Sequence, residues 1–234
     1  WQVPPRTYTG VSLLGMFLCY TSEVRDRLLF FNQRQLLRQQ QRTQALAERL
    51  HRLSREDSLT GLANRRSFDE ALDREWRRCQ REQQPLTIML VDVDCFKAYN
   101  DHYGHLQGDR CLQQLSNELR RYGRRGGDVV ARFGGEEFVL LYPGIADTEA
   151  QQLASRICRS IRALAMPHSC NPDTGEVTVS VGVAVLTPGP KQTARALLDA
   201  ADRALYQAKQ SGRDTWRLYE PPPRVRLVKD DKGL

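Results

Sequence analysis

The stretch "RFGGEEFVLLY", residues 132–142, constrains the fold more than any other part of this 234-residue chain. Two glycines stand between β-prone segments, and Gly-Gly favours the tight turns that match strand twist, so an antiparallel hairpin is predicted over 129–142. Turn chemistry accounts for the glycines but not for Glu136 and Glu137. Adjacent strand residues project to opposite faces, so only one of the two glutamates is expected to share a site with a given partner, the other facing away. A candidate partner lies in "LTIMLVDVDCFKAYND", whose apolar strand (86–93) ends in Asp92 and Asp94, two positions apart and hence on one face. Unpaired buried carboxylates are costly, so the aspartates imply either a basic neighbour such as Lys97 or a cation. In the second case Asp92 and one glutamate hold Mg²⁺ by oxygen ligands while a substrate phosphate completes the shell. No Gly-x-x-x-x-Gly-Lys loop is present, which excludes a P-loop as the phosphate cradle.

The rest of the chain frames this pair of segments. Periodicity and punctuation predict a helix over 65–82, the strand 86–93, a helix after Gly108, the hairpin, a helix over 147–164, a strand over 177–185, a helix over 193–210 and a short strand in "TWRLY". Helices alternate with β segments while the hairpin supplies an antiparallel pair, which predicts an α/β domain of the α+β type, a mixed sheet with helices on both faces. Upstream, residues 25–55 contain no Gly or Pro and read as one long signalling helix. Leu29, Leu36, Thr43 and Leu50 recur every seven residues, with Leu46 and Leu53 in the second heptad position, the pattern of an imperfect coiled coil. Before it, "GVSLLGMFLCY" (10–20) is too short to cross a bilayer alone and is followed by Arg25, Arg27, Arg34 and Arg38. Residues 1–24 are therefore read as the end of a truncated transmembrane segment, with everything downstream on the cytoplasmic side. The Pro-rich, charged tail 220–234 is expected to be disordered.

A balance of 35 basic against 28 acidic residues gives a net charge of +7, which suits phosphate-bearing ligands, nucleic acid or an anionic membrane face. The six cysteines are scattered without a CxxC pair, which indicates neither a zinc site nor a disulfide framework. Of the histidines, His51 and His168 read as solvent-facing.

"RFGGEEF", "VDVDCFKAYNDHYGHLQGD" and "DRALYQAKQSGRD", in this order and spacing, resemble the signatures of the GGDEF family of diguanylate cyclases over roughly residues 55 to 219. The resemblance implies a five-stranded, mostly antiparallel sheet wrapped by helices, similar to the palm of polymerases, spanning 56–219. It implies condensation of two GTP into cyclic di-GMP with release of pyrophosphate, by a homodimer at the bacterial inner membrane, with Mg²⁺ or Mn²⁺ and without nucleic acid as a partner. Carried over position by position, Asp92, the carbonyl of Val93 and Glu136 are the implied metal ligands, and Glu136 is the implied proton acceptor. Lys97 and the amides near Cys95 and Phe96 are implied phosphate contacts, as are Lys209 and Arg213. Asn100, His105 and Asp109 match guanine-side positions, and a carboxylate suits guanine because it accepts from both the ring N–H and the exocyclic amine. Arg125 and Asp128, ahead of the hairpin, match an inhibitory product site, with Arg156 as its secondary arginine. Outside that resemblance an Arg-x-x-Asp turn is an ordinary surface feature. A relative that only binds GTP or cyclic di-GMP as a receptor is the alternative, and it would be expected to have lost one of these residues. Every one of them is present.

Overall fold

The computed structural model describes residues 16, 20, 33–35, 37–42, 44 and 55–221. The chain divides into two units, Trp1–Ser54 and Arg55–Leu234. In the first, every described residue is helical and exposed, Leu37 among them. The coiled-coil positions Leu29, Leu36, Thr43, Leu46, Leu50 and Leu53, the tail from 222, His51 and all of the 10–20 run except Met16 and Tyr20 lie outside the described residues. No helix among the described residues is long and apolar enough to cross a membrane.

The second unit carries the elements α1 (Arg65–Glu82), β1 (Leu86–Val93), α2 (Phe96–Tyr103), α3 (His105–Arg120), β2 (Val129–Gly134), β3 (Glu137–Pro143), α4 (Asp147–Arg162), β4 (Val179–Leu186), α5 (Ala194–Gln210) and β5 (Trp216–Leu218). The strands form one five-stranded sheet in the order β2-β3-β1-β4-β5. Every pairing is antiparallel except β4 with β5, so the sheet is mixed and mostly antiparallel, as expected.

β1 sits at the centre, and all eight of its residues are buried. Its alternation feeds two cores. Met89, Val91 and Val93 pack with Leu112, Leu115 and Leu119 of α3 and Ile157 and Ile161 of α4. Leu86, Ile88 and Leu90 pack with Phe68, Leu72 and Trp76 of α1 and Leu197, Ala201 and Leu205 of α5. A strand buried on both faces reads as a near-continuous apolar run, and that is why "LTIMLV" shows no alternation in the sequence. Asn64 starts α1 by accepting from the Ser67 amide at 3.0 Å, and Thr193 starts α5 by accepting from Ala196 at 3.2 Å.

One expectation about helices needs correction. Gly108 does not precede a helix but lies inside α3, which begins at His105, and a separate helix, α2, comes before it. The reason is packing: a Cβ at position 108 would meet Asn100 Oδ1 at 1.8 Å, so the glycine is where α2 and α3 touch and not where a helix starts.

Candidate active site

The end of β1 and the hairpin turn meet as the sequence suggests, with a different geometry at the glutamates. β2 and β3 are joined by the turn Gly135-Glu136, and Gly135 adopts φ 52°, a left-handed conformation that glycine enters without steric cost. Glu136 thus sits in the turn itself, outside the strand alternation. Glu137 is registered opposite Asp92, and directly opposed residues of an antiparallel pair share a face. The expectation that Glu137 faces away is therefore overturned: both glutamates are near Asp92, and the charge of each pushes the Asp92 carboxyl up. The backbone is pinned at the same point, where the Val93 amide donates to the Glu136 carbonyl at 3.4 Å.

Asp92 is 7% exposed. Burial raises its carboxyl to about 6; the hydrogen bond and charge of Lys209 oppose the rise and the two glutamates add to it. Lys209 Nζ lies 2.8 Å from Asp92 Oδ2, so the basic partner of this aspartate is on α5, not Lys97, which is exposed on α2. One lysine faces three carboxylates, an excess of negative charge that suits a cation. Among the described residues no three His, Cys, Asp or Glu side chains close on a single point.

Asp94 has a different environment from Asp92, although the two were expected to share a face. It lies beyond the strand end, 1% exposed, and accepts from Thr178 Oγ1 at 2.8 Å, Ser180 Oγ at 2.7 Å and the Asp214 amide at 3.0 Å. With three donors it is fully engaged in holding β1, β4 and the segment before β5 together. The next residue, Cys95, has φ 55°, which costs a non-glycine residue roughly 1 kcal/mol, and it opens α2 without a side-chain cap. The first amides of a helix have no intrahelical acceptor and carry the positive end of its dipole, so the Cys95–Lys97 turn presents an anion-binding end.

Asn100 leans over Gly108, and its Oδ1 is buried with no hydrogen-bond partner. His105 and Asp109 are exposed on the first turns of α3. α5 stops at Gln210, and Gly212 and Arg213 both have positive φ, so Lys209 and Arg213 do not share a helical face; Arg213 is exposed. A residue that sequence reasoning missed is Arg132. Its Nε and Nη2 donate to the Gly135 carbonyl at 2.9 and 2.7 Å, and its Nη1 reaches Asp57 Oδ1 at 3.1 Å. The turn bearing Glu136 is thereby tied to "DSLTG" at the start of the domain.

Arg125, Asp128 and Arg156 line one cleft of about 400 Å³ together with Arg121, Tyr122 and Glu149. Asp128 Oδ2 accepts from the Arg124 and Arg125 amides at 3.1 and 2.8 Å, while its Oδ1 is buried without a partner. Arg125 Nη2 pairs with Glu149 Oε1 at 2.9 Å, both side chains being exposed. β2 separates this cleft from the Gly135-Glu136 turn by its six residues, about 20 Å at 3.3 Å per residue.

Residues 54–215 match the family described as "Diguanylate cyclase, GGDEF domain", and the chain belongs to that family. It is 39% identical over 158 residues to a protein named diguanylate cyclase DgcP of Pseudomonas aeruginosa, covering 68% of this chain and 23% of that one. It is 37% identical over 168 residues to a protein named probable diguanylate cyclase DgcC of Escherichia coli, covering 71% of this chain and 43% of that one. The chain thus spans less than half the length of these relatives. Its structure is similar to the coiled coil and GGDEF domain of DgcB from Caulobacter crescentus in complex with c-di-GMP, with a TM-score of 0.69 at 27% identity, covering 88% of this chain and 99% of that one.

Proposed function

We propose that this chain is a diguanylate cyclase that joins two GTP into cyclic di-GMP and releases two pyrophosphates. The observation that carries the reading is the buried Asp92, its carboxyl raised to about 6, facing Glu136, Glu137 and a single lysine at the end of β1. Asp92, the Val93 carbonyl and Glu136 would hold Mg²⁺ or Mn²⁺. When bound, the cation supplies charge neutralisation at the α-phosphate and a lowered pKa for the attacking 3′-hydroxyl.

The chain's own groups do the rest. Glu136, half-buried on the turn beside Asp92, accepts the proton of the 3′-hydroxyl. The amides opening α2 and the side chains of Lys97, Lys209 and Arg213 bind the triphosphate, for which Lys209 turns away from its pairing with Asp92. Asn100, His105 and Asp109 select guanine, the otherwise unpartnered Asn100 Oδ1 accepting from the base. One domain offers one such site, so the reaction requires two chains face to face, and whatever pairs the segment of residues 25–55 sets the effective concentration of the two sites. The cleft of Arg125, Asp128 and Arg156 binds cyclic di-GMP and inhibits. The 10–20 run is proposed to attach the N-terminal segment to the bacterial inner membrane, with the catalytic domain on the cytoplasmic side.

Incubation of the purified chain with GTP and Mg²⁺, followed by chromatography, tests the reading. Cyclic di-GMP is expected. Unchanged GTP together with tight binding of added cyclic di-GMP would point to a receptor instead.

A further inference from the structure

His168 precedes β4 in a segment that reads as an ordinary polar loop, and it is completely buried. The expectation of a solvent-facing ring is therefore overturned. Its backbone is fixed on both sides: the His168 amide donates to the Gly175 carbonyl at 2.8 Å, and the Asn171 amide donates to the His168 carbonyl at 2.9 Å. Asn171, itself buried, donates through Nδ2 to the Glu176 carbonyl at 2.8 Å and to Thr174 Oγ1 at 3.0 Å. The segment is clamped to α2 by the neighbouring residue, since the Ser169 amide donates to the Tyr103 hydroxyl at 3.0 Å.

From this fixed base the imidazole stands edge-on to Tyr99, ring centroids 5.1 Å apart, and places Nε2 3.2 Å from the Cys95 carbonyl oxygen. A carbonyl only accepts, so Nε2 carries the proton. Nδ1 is buried without a partner, which is consistent with a bare nitrogen there, because an unpaired buried N–H would be costlier to leave unsatisfied. The same Cys95 oxygen accepts the Tyr99 amide at 3.1 Å, the first bond of α2, so its two lone pairs are divided between the helix and His168. Cys95 is also the residue held at φ 55°. A peptide in that conformation needs an external restraint, and His168 is the side chain that supplies one.

We propose that His168 is a positioning residue for phosphate binding: its Nε2–H fixes the Cys95 carbonyl, and with it the direction of the amides that open α2 toward the nucleotide's phosphates. This rests on the cyclase reading for the identity of the nucleotide. His168 does not touch the nucleotide and acts through the Cys95 peptide. The amides bind phosphate in ground and transition states alike, so the contact governs GTP affinity more than the chemical step.

The test has two arms. In the 234-residue chain, ¹⁵N shifts of the His168 ring are expected to show Nε2 protonated and Nδ1 bare; a bare Nε2 overturns the contact whether or not the protein turns over GTP. In kinetics, His168→Phe keeps a ring against Tyr99 and removes the donor, and it is expected to raise KM for GTP about fivefold with kcat within about twofold, the size of one lost hydrogen bond. His168→Gln, whose amide nitrogen reaches the place of Nε2, restores KM, whereas His168→Asn, one methylene shorter, does not. Should the Phe variant fail to fold, the Gln and Asn pair gives the same comparison. Equal KM in all the folded variants, or kcat and KM equally damaged in Gln and Asn, overturns the proposal. Absence of turnover in the wild type counts against the cyclase reading alone, and the ring shifts still decide the contact.

Discussion

Asp92→Asn is expected to stabilise the cation-free protein near neutral pH while abolishing turnover. Burial raises the Asp92 carboxyl from 3.8 to about 6, against the pull of Lys209. At about 1.4 kcal/mol per unit, that shift makes the ionised side chain cost the native state roughly 3 kcal/mol. The group holds its proton more tightly folded than unfolded, so stability falls as pH rises between the two values. The cost is absent below about pH 4, where both states are protonated, and complete above about pH 6. Asparagine removes the charge but deprives Lys209 of its anion. The shift to about 6 already includes that attraction, so the net gain above about pH 6 is roughly 3 kcal/mol at most. Urea unfolding of the full chain with chelator, at about pH 4 and about pH 7.5, reads this directly. The variant is expected to be the more stable at the higher pH and equal to wild type at the lower. A variant less stable at about pH 7.5, or a difference independent of pH, would refute the picture of a strained carboxylate awaiting a cation.

Gly108→Ala places a methyl 1.8 Å from Asn100 Oδ1 and must displace that side chain; KM for GTP is expected to rise about tenfold with narrowed preference over ATP, and unchanged selectivity would separate Asn100 from the base. Arg132→Ala releases the Gly135 carbonyl and leaves Asp57 without its cation, for an expected loss of about 1–3 kcal/mol in urea unfolding and a lower kcat; wild-type kcat would mean that the turn holds its shape without Arg132. Arg125→Ala is expected to abolish inhibition by added cyclic di-GMP with kcat within about twofold of wild type, as suits a cleft lying about 20 Å from the catalytic turn. Initial rates across a product titration decide that case, and equal sensitivity in both proteins would reduce Arg125 to a surface ion pair with Glu149.

What the sequence made legible was local. The uninterrupted apolar run of β1, the Gly-Gly turn and the amphipathic helices α1, α4 and α5 are each written in a few consecutive residues, and their positions agree with the structure to within two residues at most ends. The strand order is not local, and spacing alone does not give it. The faces of the acidic residues were misread for a related reason: alternation holds inside a strand, but Glu136 sits in the turn and Asp94 lies past a strand end. Asp94 finds Thr178 and Ser180 more than 80 positions away, contacts that no window of sequence reveals. Arg132 could have been suspected from its place beside the turn, but its partner Asp57 lies 75 positions upstream. His168 carried no signal at all, since its neighbours Ser169 and Cys170 are polar or exposed and its burial comes from α2 folding over it.

The measurement closest to the central claim is product stoichiometry in wild type and Glu136→Ala. With GTP and Mg²⁺, chromatography with mass detection is expected to show one cyclic di-GMP for every two pyrophosphates from the wild type. The variant is expected to give less than a few per cent of that product while unfolding at the wild-type urea midpoint, because Glu136 lies on a turn outside both cores. Pyrophosphate without cyclic product in the wild type, or near-normal turnover in the folded variant, would contradict the assignment of this site.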